Sequence, residues 1–504
     1  MKKIYALLAA LVLTIAAGAQ TLNVKTGNVI YRFPAAQTGD MNYTDGSSLT
    51  VMGKVFSLSD IESMTIDNSE VQANAVSISY DGTAATVTVA GNVAQYVTPT
   101  ISGAHVSIEQ TNTGDIDGDE ITYTLSGTST DGEFSLSGSY KCTVALAGVT
   151  LTNPSGAVIN IANGKRIQMS AKKNTVNTLT DGVGGSQKGC IYSKGQIQLQ
   201  GNGTLSVVGR TKHAIKSGDY ITVKNLTLNI TAAVGDGISC NKYFVMESGV
   251  VTISGVGDEG IQCEYEDDDA KTGETADHED ENSGNVYIEG GTISVSTNGE
   301  GIESKGAMSI SGGTVYVQAS DDAINSAGDF TITGGYVMAN SSNNDGLDAN
   351  GNMYIKGGNV FAIATTQPEV GIDANTEGGK QLYITGGNIV AIGGFENGSS
   401  ISGGTAMSAS YNKGTWYGLY NGDTLAFAFK VPSNNRMGSS MAVYTTGTPA
   451  LMSGVTGSGD SFWNGNGYTS ASGGTSVTLS TYSNSGGGPG GGGPGGGGWP
   501  GGWH

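Results

Sequence analysis

A repeat of about 23 residues runs from Lys212 to Phe395, and a period of that length commits a chain to a solenoid rather than to a single globule. Each unit opens on a short block ending in an apolar residue: KHAI, GDGI, DEGI, GEGI, DDAI, NDGL and EVGI. The heading residues are Ile215, Ile238, Ile261, Ile302, Ile324, Leu347 and Ile372, separated by 23, 23, 41, 22, 23 and 25 positions. The interval of 41 is one unit plus an insertion. Each unit then carries two runs of alternating apolar and polar residues split by Gly-Gly, as in MSISGGTVYV and MYIKGGNVFA. Alternation at period two is the strand signal, so three short strands per unit predict one coil of a parallel β-helix in an all-β chain. Stacked coils place like residues about 4.8 Å apart and close a continuous apolar core.

The pairs Gly312-Gly313, Gly334-Gly335, Gly357-Gly358 and Gly386-Gly387 fall at coil corners, where tight turns need positive φ. With 82 glycines and little Leu, Lys or Arg, helices are disfavoured throughout.

Residues 1–19 read as a secretory signal peptide: Lys2 and Lys3, an apolar run from Ile4 to Ala16, and the small-residue site Ala17-Gly18-Ala19. The expected location is therefore outside the cytoplasm, whether periplasmic, cell-surface or extracellular. Residues 20–72 read as a small N-terminal β module, with SLSDIESMTI adding a helical turn, and 73–140 as a β-rich cap or first irregular coils. The parallel β-helix spans 141–404, with an acidic insertion at 264–284. A C-terminal β domain follows over 405–485, and a disordered Gly/Pro/Trp tail over 486–504.

A net charge of −20 argues against nucleic acid, which needs clusters of Lys and Arg. It favours cations instead. Cys142, Cys190, Cys240 and Cys263 are too few for a disulfide framework. Cys240 and Cys263 share one repeat position, either as a small core ladder or as one disulfide between adjacent coils.

Two ladders of oxygen ligands run along one edge. The first, immediately before the Gly or Ala of each block, is Asp236, Glu259, Glu300, Asp322 and Asp345; the second, an outward position after the heading residue, is Lys216, Ser239, Gln262, Glu303, Asn325, Asp348 and Asp373. Like charges stacked this closely repel by roughly 1 kcal/mol in water and by several at lower dielectric. Acids and carbonyls in sets of six to eight suit Ca2+. The plain alternative is that these are turn acids, solvated or paired with Lys242 and Lys305. From Asp236 to Glu281 the chain carries 14 acids against 2 lysines, so the insertion either folds around calcium against this edge or stays a floppy acidic loop. Of the histidines, His105, His213, His278 and His504, only His278 within the insertion is placed to join a metal site.

H-E-x-x-H, G-x-S-x-G and the P-loop motif are absent, and GVGDEG at 255–260 matches a dinucleotide fingerprint only by accident, with no helix following. One enzymatic reading survives, a calcium-dependent, pectate-type polysaccharide lyase with Lys216 or Lys305 as the base; the alternative makes both charge-balancing lysines.

The GDGI and GEGI blocks, the ISGGTVYV-type strand pairs, the run TLTDGVGGSQKGCIYSKG and the insertion IQCEYEDDDAKTGETADHEDENSGNVYIEGG together resemble a secreted family of calcium-binding, polysaccharide-lyase-like β-helix proteins known as carbohydrate-binding domain-containing proteins. The resemblance covers roughly Ala73 to Gly404. It implies a right-handed parallel β-helix, bound calcium, and affinity for plant cell-wall polysaccharides including cellulose and acidic pectic sugars. It assigns calcium to Asp236, Asp258, Glu259, Glu264, Asp267, Asp268, Asp269, Asp277, Glu279, Asp280, Glu300, Glu303, Asp322, Asp345, Asp348 and Asp373. Val370 in the first ladder and the neutral Ser239, Gln262 and Asn325 in the second depart from that pattern.

Trp416, Tyr417, Tyr420 and Trp463 are candidate sugar platforms, or alternatively packing residues of the C-terminal domain; in the repeats only Tyr265 and Tyr316 are expected to be exposed aromatics. The expected protein is a secreted, non-catalytic, calcium-stabilised binder of polysaccharide, with the lyase as the first alternative and an adhesive or structural surface solenoid as the second.

Overall fold

The computed structural model describes residues 20–39, 41–264, 283–433 and 436–483. The signal-peptide segment, most of the acidic insertion with Tyr265 and His278, and the tail from 484 onward lie outside the described residues.

The chain is all-β, and no α-helix occurs among the described residues, so none is long and apolar enough to cross a membrane. A regular repeat contributes three strands, as in Ile302–Ser304, Met308–Ile310 and Thr314–Ala319, and in the last coils the second and third run together as Met353–Ile363 and Leu382–Ile392. Each strand pairs in parallel with its counterpart in the next repeat: Ile302 with Ile324, Met308 with Phe330, Thr314 with Tyr336. The heading strands form one 11-stranded sheet; the other two series run through a 27-stranded sheet. Ile191, Ile215, Ile238, Ile261, Ile302, Ile324 and Leu347 are all fully buried and belong to one core. The insertion leaves after Ile261–Cys263 and returns before Asn285–Ile288 without breaking either register.

The Gly-Gly corners split the expected role. The second glycine of each pair has positive φ, from +77° at Gly313 to +89° at Gly387. The first does not; an added Cβ there would lie 2.2–2.3 Å from a main-chain carbonyl of the preceding coil, such as Glu289 O at Gly312. One position serves the turn and the other serves close approach.

At the N-terminal end, Thr21–Thr26 pairs antiparallel with Val29–Pro34 and Ser63–Asp67, and Val29–Arg32 joins the main sheet through Val87–Ala90. In SLSDIESMTI a single hydrogen-bonded turn forms at 58–60, the Asp60 N–H donating to Ser57 O at 3.1 Å, before Ser63–Asp67 joins that sheet. At the other end, Thr405–Ala409 and Met441–Thr445 continue the main sheet antiparallel, and a six-stranded sheet packs over it. Tyr316, Met338, Phe361 and Val390 from the coils share a second core with Tyr417, Phe427, Phe429 and Trp463.

That core corrects three expectations. Tyr316 is 7 % exposed, Tyr417 1 % and Trp463 1 %. The Trp463 ring packs against Phe427 and Phe462, and its Nε1–H donates to Tyr336 O at 3.2 Å. These rings close the joint between the C-terminal strands and the coils, and no sugar reaches them. Trp416 and Tyr420 remain half-buried at the surface, Trp416 lying 5.4 Å from the Tyr468 ring.

Candidate functional site

The two ladders lie on the heading-strand sheet, but burial changes their character. Asp236 is 1 % exposed, Asp322 6 %, Asp345 8 %, Lys216 6 % and Glu303 5 %. Stacked at strand spacing, the side chains cover one another, so this edge is largely dry.

The first ladder binds main chain. Asp322 Oδ1 accepts the Asp345 N–H at 2.9 Å, and Asp345 Oδ1 accepts the Val370 N–H at 2.6 Å. Each carboxylate thus caps the amide at the same position one coil on, which is why Val370 can end the series with no acid of its own. His213 belongs to this ladder too: its Nδ1 accepts the Asp236 N–H at 3.1 Å. Read from the sequence alone, His213 has no part in this edge, although in KHAI it stands where GDGI has Asp236.

Two groups of carboxylates converge. Ligand oxygens of Asp236, Asp258 and Glu259, and separately those of Asp345, Asp348 and Asp373, lie within 4.8 Å of one another. In the first group, Asp236 Oδ2 sits 3.0 Å from His213 Nδ1, the nitrogen that already accepts the Asp236 N–H. An imidazole nitrogen cannot accept one bond and donate another, so in that tautomer this buried oxygen has no partner. With His213 protonated at Nδ1 instead, burial would still raise the Asp236 carboxyl, but the imidazole donates to it and brings it below the usual range, while burial and then Asp236 push Glu259 well up.

In the second group, burial pushes Asp345 up to about 7, with Glu369 and Asp348 adding to it. Asp348 and Asp373 are raised too, in each case first by burial; for Asp373 the next cause is a bond to Glu396. Asp322, one coil back, is raised to about 8 by burial and by Asp348. Glu396 extends the second ladder by one coil, since Ile372 bridges in parallel to Phe395. The last block, GGFE, keeps the glycine, Gly394, but has Gly393 in place of the acid and Phe395 in place of the heading Ile or Leu.

The remaining candidates stay apart from these groups. Glu303 is held by Lys305 and by Gln262 Nε2 at 2.8 Å. Glu300 Oε1 accepts from Asn325 at 3.2 Å, leaving its buried Oε2 without a hydrogen-bond partner. Glu264 pairs with Lys216 at 3.3 Å. Asp267, Asp268, Asp269, Asp277, Glu279 and Asp280 fall outside the described residues.

Neither candidate base is poised to take a proton. The Lys216 ammonium donates to Ser239 Oγ at 3.2 Å, to Asn241 and to Glu264. Burial would lower Lys305, but Glu303 outweighs it and the amine titrates above the ordinary range. A base needs the opposite shift.

Cys240 and Cys263 are free, fully buried thiols with sulfurs 3.3 Å apart. They occupy the column filled by Ser304 and Ser326 in later coils. Burial raises the Cys263 thiol first of all, so the core ladder describes this pair.

A family model for carbohydrate-binding domain-containing proteins matches residues 102–390, and the chain belongs to that family. A carbohydrate-binding domain-containing protein of Acetivibrio thermocellus is 29 % identical over 119 residues, 20 % of this chain and 42 % of that protein. The chain thus spans less than half of that relative's length. The solved structure of a polysaccharide lyase-like protein from C. thermocellum, a gadolinium derivative, aligns with 65 % of this chain and 98 % of its own at 20 % identity, with a TM-score of 0.37.

Proposed function

We propose that the protein is a secreted, non-catalytic polysaccharide-binding protein whose coils wind as a right-handed parallel β-helix and whose acidic edge holds calcium. Parallel registers that advance by one repeat support the winding, and parallel crossovers are right-handed almost without exception. The observation that carries the function is the convergence of Asp345, Asp348 and Asp373 on a carbohydrate-binding scaffold.

Three carboxylates gathered in a dry place favour either protons or a cation. Hard oxygen donors select Ca2+ over softer metals, and three carboxylates supply up to six of the six to eight oxygens it takes. Asp345, Asp348 and Asp373 would hold one ion, and Asp236, Asp258 and Glu259 a second, where Asp236 Oδ2 lacks a partner. Bound calcium would neutralise these acids and bridge them to carboxylates of acidic pectic glycans; neutral chains such as cellulose would lie along the polar columns. Lys216 and Lys305, each held by carboxylates, favour binding over β-elimination.

Co-sedimentation with cellulose and with calcium-free polygalacturonate gel, alongside absorbance from unsaturated uronate products, tests this reading. Binding that calcium strengthens, without new absorbance, is the expected result. A calcium-dependent absorbance rise would make the protein a lyase, and no binding to either polymer would end the proposal.

A further inference from the structure

In the coils that precede the acidic groups, the outward face of the heading-strand sheet changes sign. A polar cleft of about 440 Å³ opens where Gly189–Ser193 lies beside His213–Ser217. That volume falls within the roughly 300–1,000 Å³ of small-molecule sites. Lys188, Lys194 and Lys216 line it together with Tyr192, Gln187 and Asn241, and no carboxylate among the described residues lines it. In a chain of net charge −20 with 24 lysines and arginines in 504 residues, three lysines in one cleft are a marked local reversal.

The three amines are not equivalent. Lys216 is buried and fixed by Ser239, Asn241 and Glu264, so it forms part of the wall. Lys188 and Lys194 are exposed, and neither has an ion-pair partner among the described residues. Tyr192 is half-buried and stands directly beside Lys216 in the parallel register. The cleft therefore combines two cations that no described carboxylate neutralises, an aromatic ring and two side-chain amides. Like charges facing one cleft repel until an anion enters, and an ammonium gives its strongest hydrogen bonds to an ionised oxygen. Amides and a phenol ring suit the hydroxyls and the apolar face of a sugar.

We propose that this cleft is a subsite for one anionic sugar residue of a bound polysaccharide, recognised through its carboxylate or sulfate by Lys188 and Lys194. The proposal rests on the polysaccharide-binding reading and adds to it an anchor that needs no metal ion. The acidic groups can hold a glycan carboxylate only through a cation; the lysine cleft holds it directly. Chelation separates the two.

The test is calorimetric titration of the full chain, in EDTA, with oligogalacturonate, with sulfated galactan oligomers and with neutral galactan oligomers. Anionic oligomers bind, the neutral ones do not, and affinity falls as salt rises; the tighter of the two anions identifies the group recognised. Lys188→Gln with Lys194→Gln lowers that affinity at least about tenfold, whereas Lys188→Arg with Lys194→Arg retains it. Both side chains are exposed, so an unchanged melting curve verifies the fold of each variant. Equal binding by the Gln variant, or neutral oligomers binding as tightly as anionic ones, overturns the assignment. If the protein binds polysaccharide in calcium yet no oligomer in EDTA, the cleft assignment falls and the wider reading stands. No glycan binding in either condition ends both.

Discussion

Gly301, in the block GEGI, has φ in the ordinary range, yet a Cβ added to it would lie 2.0 Å from Val317 Cγ1 and 2.3 Å from the Ala323 carbonyl. Its glycine is required by packing, not by backbone conformation, and Gly260 meets Val295 in the same way one coil earlier. Gly301→Val therefore overpacks a closed core and is expected to cost about 1–3 kcal/mol, read as a lower urea midpoint. Asp373 is the opposite case, a polar side chain that burial penalises: its carboxyl is raised by burial, then by Glu396 and Asp345. Asp373→Asn removes an acid that the folded chain holds reluctantly. The expected outcome is a melting temperature unchanged or higher in EDTA, with most of the rise on adding calcium lost. A full calcium-dependent rise in this variant would remove Asp373 from the ion's shell.

The heading strands were legible because each needs only a buried Ile at a fixed interval, and a 22- or 23-residue interval is visible in the letters. Ile261→Ala, at the centre of that column, is expected to cost about 2–5 kcal/mol and to loosen the adjacent coils first, as amide exchange would report. The ladder positions were equally legible, but their partners were not. Period tells which residues stack; it does not tell that Asp322 accepts an amide one coil on, or that His213 stands in for an acid. The fate of the C-terminal aromatics was illegible for a different reason. Tyr417 and Trp463 are buried by Phe361 and Tyr336 from coils more than fifty residues earlier, a contact no local pattern announces. The lysine cleft likewise draws Lys188, Lys194 and Lys216 from two coils of unequal length.

Across the whole molecule, the buried carboxyls set a pH dependence. Asp322 and Asp345 titrate near 8 and 7 when folded, against about 3.9 for an unfolded Asp. Between those values the folded chain binds more protons than the unfolded one, so stability falls as pH rises from about 4 to about 8, then levels. If calcium replaces those protons, as proposed, its stabilisation grows as pH rises across the same window. Melting temperatures from pH 4 to 9, in EDTA and in calcium, are expected to diverge with increasing pH; parallel curves would sever the acids from the ion.

The unbroken register across Ile261, Ile302 and Ile324 also governs which changes of length this chain can inherit. Excising the 22 residues from 302 to 323 brings Ile324 into the place of Ile302 and leaves Ile261 beneath an equivalent neighbour. Losing a single residue from Thr314–Ala319 instead turns every later side chain of that strand to the wrong face. Recombination between repeats can thus lengthen or shorten the molecule by whole coils and still deliver a folded product. Descendants of such a chain should differ in length before they differ in cross-section.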